Sequence, residues 1–525
     1  MEKEKILKFC FEKNLLLDKD LLEIFSSISN FEDIRLVLEK LKNQTNKRFI
    51  TKQVILENDN LLKNLISRGS LKNKTQMQEL TIKLGINLEI SAKQKIVENQ
   101  GFSGSVNLSP FSEEYPKPLD TKSFVTYFRN RFKEMRGFLQ DNLLLTNLIS
   151  INKLNEIHGN FSVIGIVSDK RVSKNKNIIF EIEDLTGRVK VLINNKKEDL
   201  YEKAQEIVLD SVVGFKCNGN KSFLFANEIV LPEVNLPFRK KSPVEEYAVF
   251  LGDIHYGSKN FMEKEFLSFI DYLNGKFPNT PEVNKIKYLF MVGDIITGVG
   301  NYPNQDRDLK IPDLEGQFQN FANLLKKIRK DIKIIIGPGN HDGVRLMEPQ
   351  PILNEKYSWP LHELENVFLI ENPSIVNIAS NKNFEGFDVL MYHGFSYPYY
   401  ANNVPSLMKI KATDDPQKIM HFLLRNRHLA PSHGSVQYFP YEKDTHIIRK
   451  APDIFVSGHL HKSGVSYHNN VLVIAVSSWE TLTPYQEKFG NEPDHCKVPL
   501  VNLKTRAIKI LDFENPNSFG GKNEC

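Results

Sequence analysis

A chain of 525 residues is longer than one hydrophobic core usually grows, so several domains are expected. Apolar residues make up 41% and charged residues 25%, shares that exclude disorder throughout. A net charge of +5 is mild and leaves the class of partner open, while four scattered cysteines, Cys10, Cys217, Cys496 and Cys525, exclude a disulfide framework or a zinc ribbon and suit a reducing cytoplasm.

Residues 1–75 carry Leu, Ile and Phe at helical spacing among Lys and Glu, as in KILKFCFEKNLLLDKDLLEIFSSI, and predict a small N-terminal helical domain. The opening MEKEKILKFCFEKN lacks the apolar core of a signal peptide, and no later stretch reaches membrane-spanning length, so neither export nor a membrane partner is expected. Residues 76–124 are read as a flexible linker, because NQGFSGSVNLSPFSEEYPKPLDTKS clusters Gly, Ser, Pro and Asn without an apolar period.

Residues 125–240 begin with a basic helix, VTYFRNRFKEMRGFLQDNLLL, in which Tyr127, Phe128, Phe132 and Phe138 alternate with Arg129, Arg131, Lys133 and Arg136. Helical spacing directs the aromatics inward and the charges outward, which leaves both a packing role and a phosphate contact open. Then FSVIGIVSDKRV, NIIFEIEDLTGRVKVLI, KKEDLYEKAQEIV, SVVGFKCNG and KSFLFANEIVLP predict strands, a helix and further strands in the order of a β-barrel OB fold. Such a barrel either binds single strands or serves as a packing module.

Residues 241–525 alternate aliphatic runs with helical patterns. The runs YAVFLGDIH, KYLFMVGDII, IKIIIGPGNHD, FDVLMYHG, DIFVSGHLH and NVLVIAVSSWE each close on polar residues, as buried strands of an α/β layered fold do when function sits at their carboxyl ends. Those ends supply Asp253, His255, Asp294, Asn340, His341, His393, His459 and His461. In Asp253-Ile254-His255 and His459-Leu460-His461 the paired side chains fall on one side of an extended backbone and can converge on one ion. Two divalent ions about 3.5–4 Å apart need imidazoles and carboxylates with one carboxylate shared, for which Asp294 is the natural candidate, while the Asn340 amide adds an oxygen without charge. His158, His362, His421, His446, His468 and His495 lack this setting and are read as structural or surface residues.

The ordered set Asp-x-His, Gly-Asp, Gly-Asn-His-Asp, His-Gly and Gly-His-x-His resembles the calcineurin-like metallophosphoesterase superfamily over about half the chain. The resemblance implies an α/β (α+β layered) phosphoesterase sandwich in which one ion takes Asp253, His255, Asp294 and His461 and the other takes Asp294, Asn340, His393 and His459. It leaves His341 as the catalytic residue, donating a proton to the leaving oxygen or a hydrogen bond to the phosphate. Asp342 either orients that imidazole or closes the turn after it.

The stretches GVGNYPNQDRDLKIPDLEGQF, PGNHDGVRLMEPQP, RNRHLAPSHG, APDIFVSGHLH and SSWETLTPYQEKFGNEP narrow the likeness. They are similar to the small-subunit family of the archaeal family D DNA polymerase, in which an OB barrel also precedes the phosphoesterase region. This implies a cytoplasmic 3′–5′ exodeoxyribonuclease that proofreads single-stranded or mismatched 3′ ends of DNA with two manganese or magnesium ions. It also implies a heterodimer with a large catalytic polymerase subunit and makes a sliding clamp a candidate partner. A catalytically silent scaffold subunit and a stand-alone repair nuclease are the alternatives. The sequence departs from the family at Thr297, near which a second acid is usual, and at FSYPYY over 395–400, where a more polar run is usual. Tyr397, Tyr399 and Tyr400 there are read either as base-stacking groups or as packing at a loop base.

Overall fold

In a computed structural model of the chain, the structure describes residues 2–13, 15–26, 31–45, 49–51, 54–55, 104–108, 119–154, 159–483, 487, 490 and 492–515. Residues 56–103 and 109–118, which hold the end of the expected helical domain and most of the expected linker, lie outside the described residues, as do His158 and Cys525. The chain divides into two units, Met1–Lys95 and Ile96–Cys525. Among the described residues no helix is long and apolar enough to cross a membrane.

In the first unit the helical spacing produces helices Glu2–Glu12, Lys19–Ser26 and Phe31–Thr45. Their apolar stripes bury Ile6, Phe9, Leu21, Phe25, Ile34, Val37, Leu38 and Leu41 around one core. Two short parallel strands, β1 (Leu16–Leu17) and β2 (Phe49–Ile50), close it.

The second unit opens with β3 (Val106–Leu108), a strand inside the stretch read as linker. It has a place because Val106 is buried and the Gly104 amide donates to the Glu246 carboxylate at 3.1 Å. The basic helix, Thr121–Gln140, is capped by Asp120, whose carboxylate accepts from the Ser123 amide at 2.7 Å. Its aromatic face packs inward as expected, but Arg131 is buried with it, against the spacing rule, because Asp444 meets its guanidinium at 2.7 Å. Strands β4 (Phe161–Val172), β5 (Ile178–Glu183), β6 (Arg188–Ile193), β7 (Val212–Asn220) and β8 (Phe223–Val230) close a barrel in the order β4-β5-β6-β8-β7, with the helix Glu198–Gln205 between β6 and β7. The Val234 amide donates to Leu424 O at 3.0 Å and the His433 amide to Asp210 at 2.8 Å, which fix this barrel to the region that follows.

That region stacks two six-stranded sheets. One has the order β12 (Val367–Leu369), β11 (Lys333–Gly337), β10 (Ile286–Val292), β9 (Tyr247–Leu251), β18 (Lys497–Asn502), β19 (Ile508–Asp512). The other has the order β16 (Gly464–His468), β17 (Val471–Ala475), β15 (Ile454–Ser457), β14 (Phe387–Met391), β13 (Ser374–Ile378), β3. Phe250, Phe290, Ile335 and Phe368 of the first meet Val389, Met391, Ile454, Val456 and Ile474 of the second in a shared core. Helices Glu263–Leu273, Leu314–Leu325 and Glu355–His362 cover the outer face of the first sheet, and helices Tyr397–Asn403 and Pro416–Asn426 cover the second. Strands β9, β10 and β11 run parallel, as do β14 and β15, and both faces of each are covered, which is why their sequences are continuous aliphatic runs.

Candidate metal centre

The parallel strands set the site, because their carboxyl ends in the two sheets deliver side chains to one place. Asp253 and His255 follow β9, Asp294 follows β10, Asn340 and His341 follow β11, His393 follows β14, and His459 and His461 follow β15. The chain turns out of these strands sharply enough that Asp253, His255, Asp294, His459 and His461 all adopt left-handed backbone, with φ of 47°, 51°, 49°, 73° and 55°. Gly339 is needed at its position, since a Cβ there would collide with the Asp294 carboxylate.

The side chains converge. Nε2 of His255 lies 3.1 Å from Nε2 of His461, and Nε2 of His393 lies 3.2 Å from Asp294 Oδ2 and 3.1 Å from Asn340 Oδ1. Donor atoms of Asp253, His255 and His461 fall within 4.8 Å of one another, as do those of Asp294, His393 and His459, and those of His255, Asp294 and His341. Asp294 therefore stands between the groups. At most one proton can lie between two facing imidazole nitrogens, and the Nδ1 atom of His255 is buried without a hydrogen-bond partner among the described residues. Lone pairs directed at a common centre from imidazole, carboxylate and amide are the donor set that divalent cations take, so these residues fit such ions.

The electrostatics agree. Burial pulls His255 well below the ordinary imidazole range, takes His459 down to about 3 and His461 down to about 4, so these rings are neutral with lone pairs available. Burial raises the Asp253 carboxyl well above the usual range. Burial acts on Asp294 in the same sense, but His393, His341 and His255 outweigh it and hold that carboxyl well below the usual range. His393, which burial alone would lower, is pushed up to about 10, first by Asp294.

The surrounding contacts assign parts that spacing left open. The carboxylate of Asp342 accepts the Ile296 amide at 3.0 Å and the Gly339 amide at 2.7 Å, so it closes the turn. Burial, with Asp294 nearby, pushes its carboxyl up to about 7. The His341 ring is held elsewhere, by the Thr297 carbonyl 2.9 Å from Nδ1 and by Asn301 at 3.1 Å from the same atom. Asn372 Oδ1 accepts the His393 amide at 2.8 Å, and the Val292 carbonyl lies 2.9 Å from His393 Nδ1. Glu480 is buried, accepts from the Ser258 hydroxyl, and burial pushes it up to about 7. Sequence reading passed over Asn301, Asn372 and Glu480, although Glu480 ends an aliphatic run of the same kind that revealed the others.

The other histidines singled out in the sequence, where described, have partners outside this group. His362 Nε2 lies 3.2 Å from Leu353 O, His421 Nε2 lies 2.9 Å from the Ser466 hydroxyl, His468 pairs with Glu233 at 3.0 Å and His495 with Glu514 at 3.5 Å. His446 lies in a buried ion network with Glu348 at 2.6 Å.

The calcineurin-like phosphoesterase family matches residues 248–463, and an OB-fold nucleic acid binding domain family matches residues 161–235. The chain is 35% identical over 457 residues to the DNA polymerase II small subunit of Pyrococcus horikoshii, an alignment that covers 84% of this chain and 72% of that one. It is 37% identical over 402 residues to the DNA polymerase II small subunit of Pyrococcus furiosus, covering 75% and 64% of the two chains. The protein of that name from Methanothermobacter thermautotrophicus is 33% identical over 393 residues, covering 74% and 79%.

Proposed function

The chain belongs to the DNA polymerase II small-subunit family, and from that premise we propose that it carries a two-metal 3′–5′ exodeoxyribonuclease that proofreads for a large catalytic polymerase subunit. Its substrates in this reading are single-stranded and mismatched 3′ ends of DNA, its metal is manganese or magnesium, and its place is the cytoplasm. The convergence of Asp253, His255, Asp294, Asn340, His393, His459 and His461 on one point, with His341 beside them, carries the reading. Asp253, His255 and His461 would hold one ion and Asn340, His393 and His459 a second, with Asp294 placed to serve both. When bound, such ions draw a nucleophile from water at neutral pH and offset the charge of the phosphoryl group.

The chain's own residues do the rest. His341 Nδ1 faces both the Thr297 carbonyl at 2.9 Å, which only accepts, and the Asn301 side-chain nitrogen at 3.1 Å, which donates. Both contacts occupy Nδ1 and leave Nε2 as the atom that exchanges a proton with the leaving oxygen. The His341 amide donates to Asp294 Oδ1 at 2.8 Å, so the shared carboxylate and the proton-transfer residue are held by the same turn.

The test is a manganese-dependent exonuclease assay on a mismatched primer–template, with and without the large subunit. Wild type is expected to release mononucleotides from the 3′ end, Asp294→Ala to fall to background, and His341→Ala to lose about 10²-fold or more in rate while retaining metal. Intact 3′ ends with metal-loaded wild type, indistinguishable from His341→Ala, would overturn the reading.

A further inference from the structure

Tyr397 and Tyr400 cannot stack on a ligand: both are fully buried, and the Tyr400 hydroxyl donates to Ser435 at 3.0 Å. Phe395 differs from them. The chain turns at Gly394, with φ of 114°, and Phe395 stays half-buried with its ring centre 5.4 Å from that of His459. It is an aromatic surface in contact with one of the converging imidazoles.

Phe395 does not stand alone. With Phe124 and Phe128, both half-buried, it packs against Tyr127, Val436 and Tyr438. Tyr127 and Tyr438 stack with centroids 4.9 Å apart and planes 24° apart. Arg131 places its guanidinium over Tyr127 at 4.9 Å and over Phe128 at 5.0 Å, and Asp444 holds that guanidinium from behind. The basic helix before the barrel thus lends aromatic rings to a wall that starts at the strand-end site, and a buried ion pair keeps the wall rigid.

We propose that Phe395, with Phe124 and Phe128, is a stacking wall for unpaired nucleobases beside the scissile phosphodiester. The proposal rests on the nuclease reading and adds to it the part of the substrate that the strand-end donors do not touch. A phosphodiester at those donors carries its base one sugar away, so a ring against His459 lies where the base arrives. Stacking is blind to base identity, because every base has a π-face, but it demands a base already out of its duplex stack. The wall therefore selects frayed and mismatched ends without reading sequence.

The experiment uses the full chain and an oligonucleotide ending in 3′-terminal 2-aminopurine, whose fluorescence is quenched when the base stacks. In chelator, so that no strand is cut, wild type is expected to quench the terminal base, Phe395→Ala to weaken that binding about 5-fold or more, and Phe395→Tyr to restore it. With manganese, wild type is expected to prefer a base-bearing over an abasic 3′ end about 10-fold, a ratio that falls toward unity in Phe395→Ala at unchanged metal content. Should Phe395→Ala fold poorly, Phe128→Leu keeps the packing and removes one stacking face, and the same fall in the ratio is expected. Equal quenching by wild type and Phe395→Ala, or an unchanged ratio, overturns the wall. Quenching that depends on Phe395 without nucleotide release would sink the nuclease reading and leave the wall standing.

Discussion

At the strand ends, Asp253 and Asp294 are buried among His255, His393, His459 and His461; elsewhere in the same region, Asp444 is buried with His428 and His446, and Glu348 with His446. Both clusters pair buried carboxylates with imidazoles. In the second, Arg131 enters from the basic helix, Asp444 meets it at 2.7 Å and His428 at 3.0 Å, and both ring nitrogens of His428 and of His446 have partners. In the first, among the described residues, no guanidinium enters, imidazoles face one another at 3.1 Å, and His255 Nδ1 has no hydrogen-bond partner. Buried histidines and carboxylates do not by themselves make a metal centre. What separates the two is how the carboxylates are met: a permanent guanidinium partners Asp444, whereas the possible cations beside Asp253 and Asp294 are imidazoles.

The comparison breaks most visibly at Arg131. Arg131→Met should leave Asp444 uncompensated and lower stability by about 3–5 kcal/mol, read as a fall in denaturant midpoint, while manganese binding at the strand ends persists. If stability held, the second cluster would not depend on its internal cation. A smaller effect is expected with pH. Burial pulls His446 down, but Asp444 and Glu348 outweigh it and push it up to about 9, above its ordinary 6.5. The stabilisation is then complete below about pH 6.5 and is lost as pH rises through about 9. Melting temperature should fall more steeply over that window in wild type than in His446→Asn. The smallest effect sharpens the metal side: Asn372→Ala removes the acceptor of the His393 amide and should weaken manganese affinity about 10-fold, measured by metal titration against thermal stability.

The strand-end site was legible in the sequence because each polar group directly follows an apolar run, and strand direction alone then carries the groups to one edge. The order of the barrel was legible for a related reason, since alternation and turn residues are local signals. Arg131 was not legible. Helical spacing directs it outward, and the partner that draws it inward, Asp444, lies far along the chain. Phe395 was likewise hidden beside Tyr397, Tyr399 and Tyr400, since composition cannot tell which of several adjacent aromatics a turn at glycine leaves half-exposed. Val106–Leu108 sits in a stretch of turn-forming residues and becomes a strand only because β13 offers it an edge.

Left-handed backbone at Asp253, His255, Asp294, His459 and His461 also bears on how such a fold changes over generations. Each of those non-glycine residues costs about 1 kcal/mol in conformational strain, tolerated for the position it gives a side chain. Once cleavage is no longer selected, replacement with glycine relaxes the backbone at these positions, set against the hydrogen bonds that Asp253 and Asp294 accept from the His459 and His341 amides. The strain is carried by the strand-end loops and not by the sheets beneath, so such loops can shed their chemistry while the sheets stay intact.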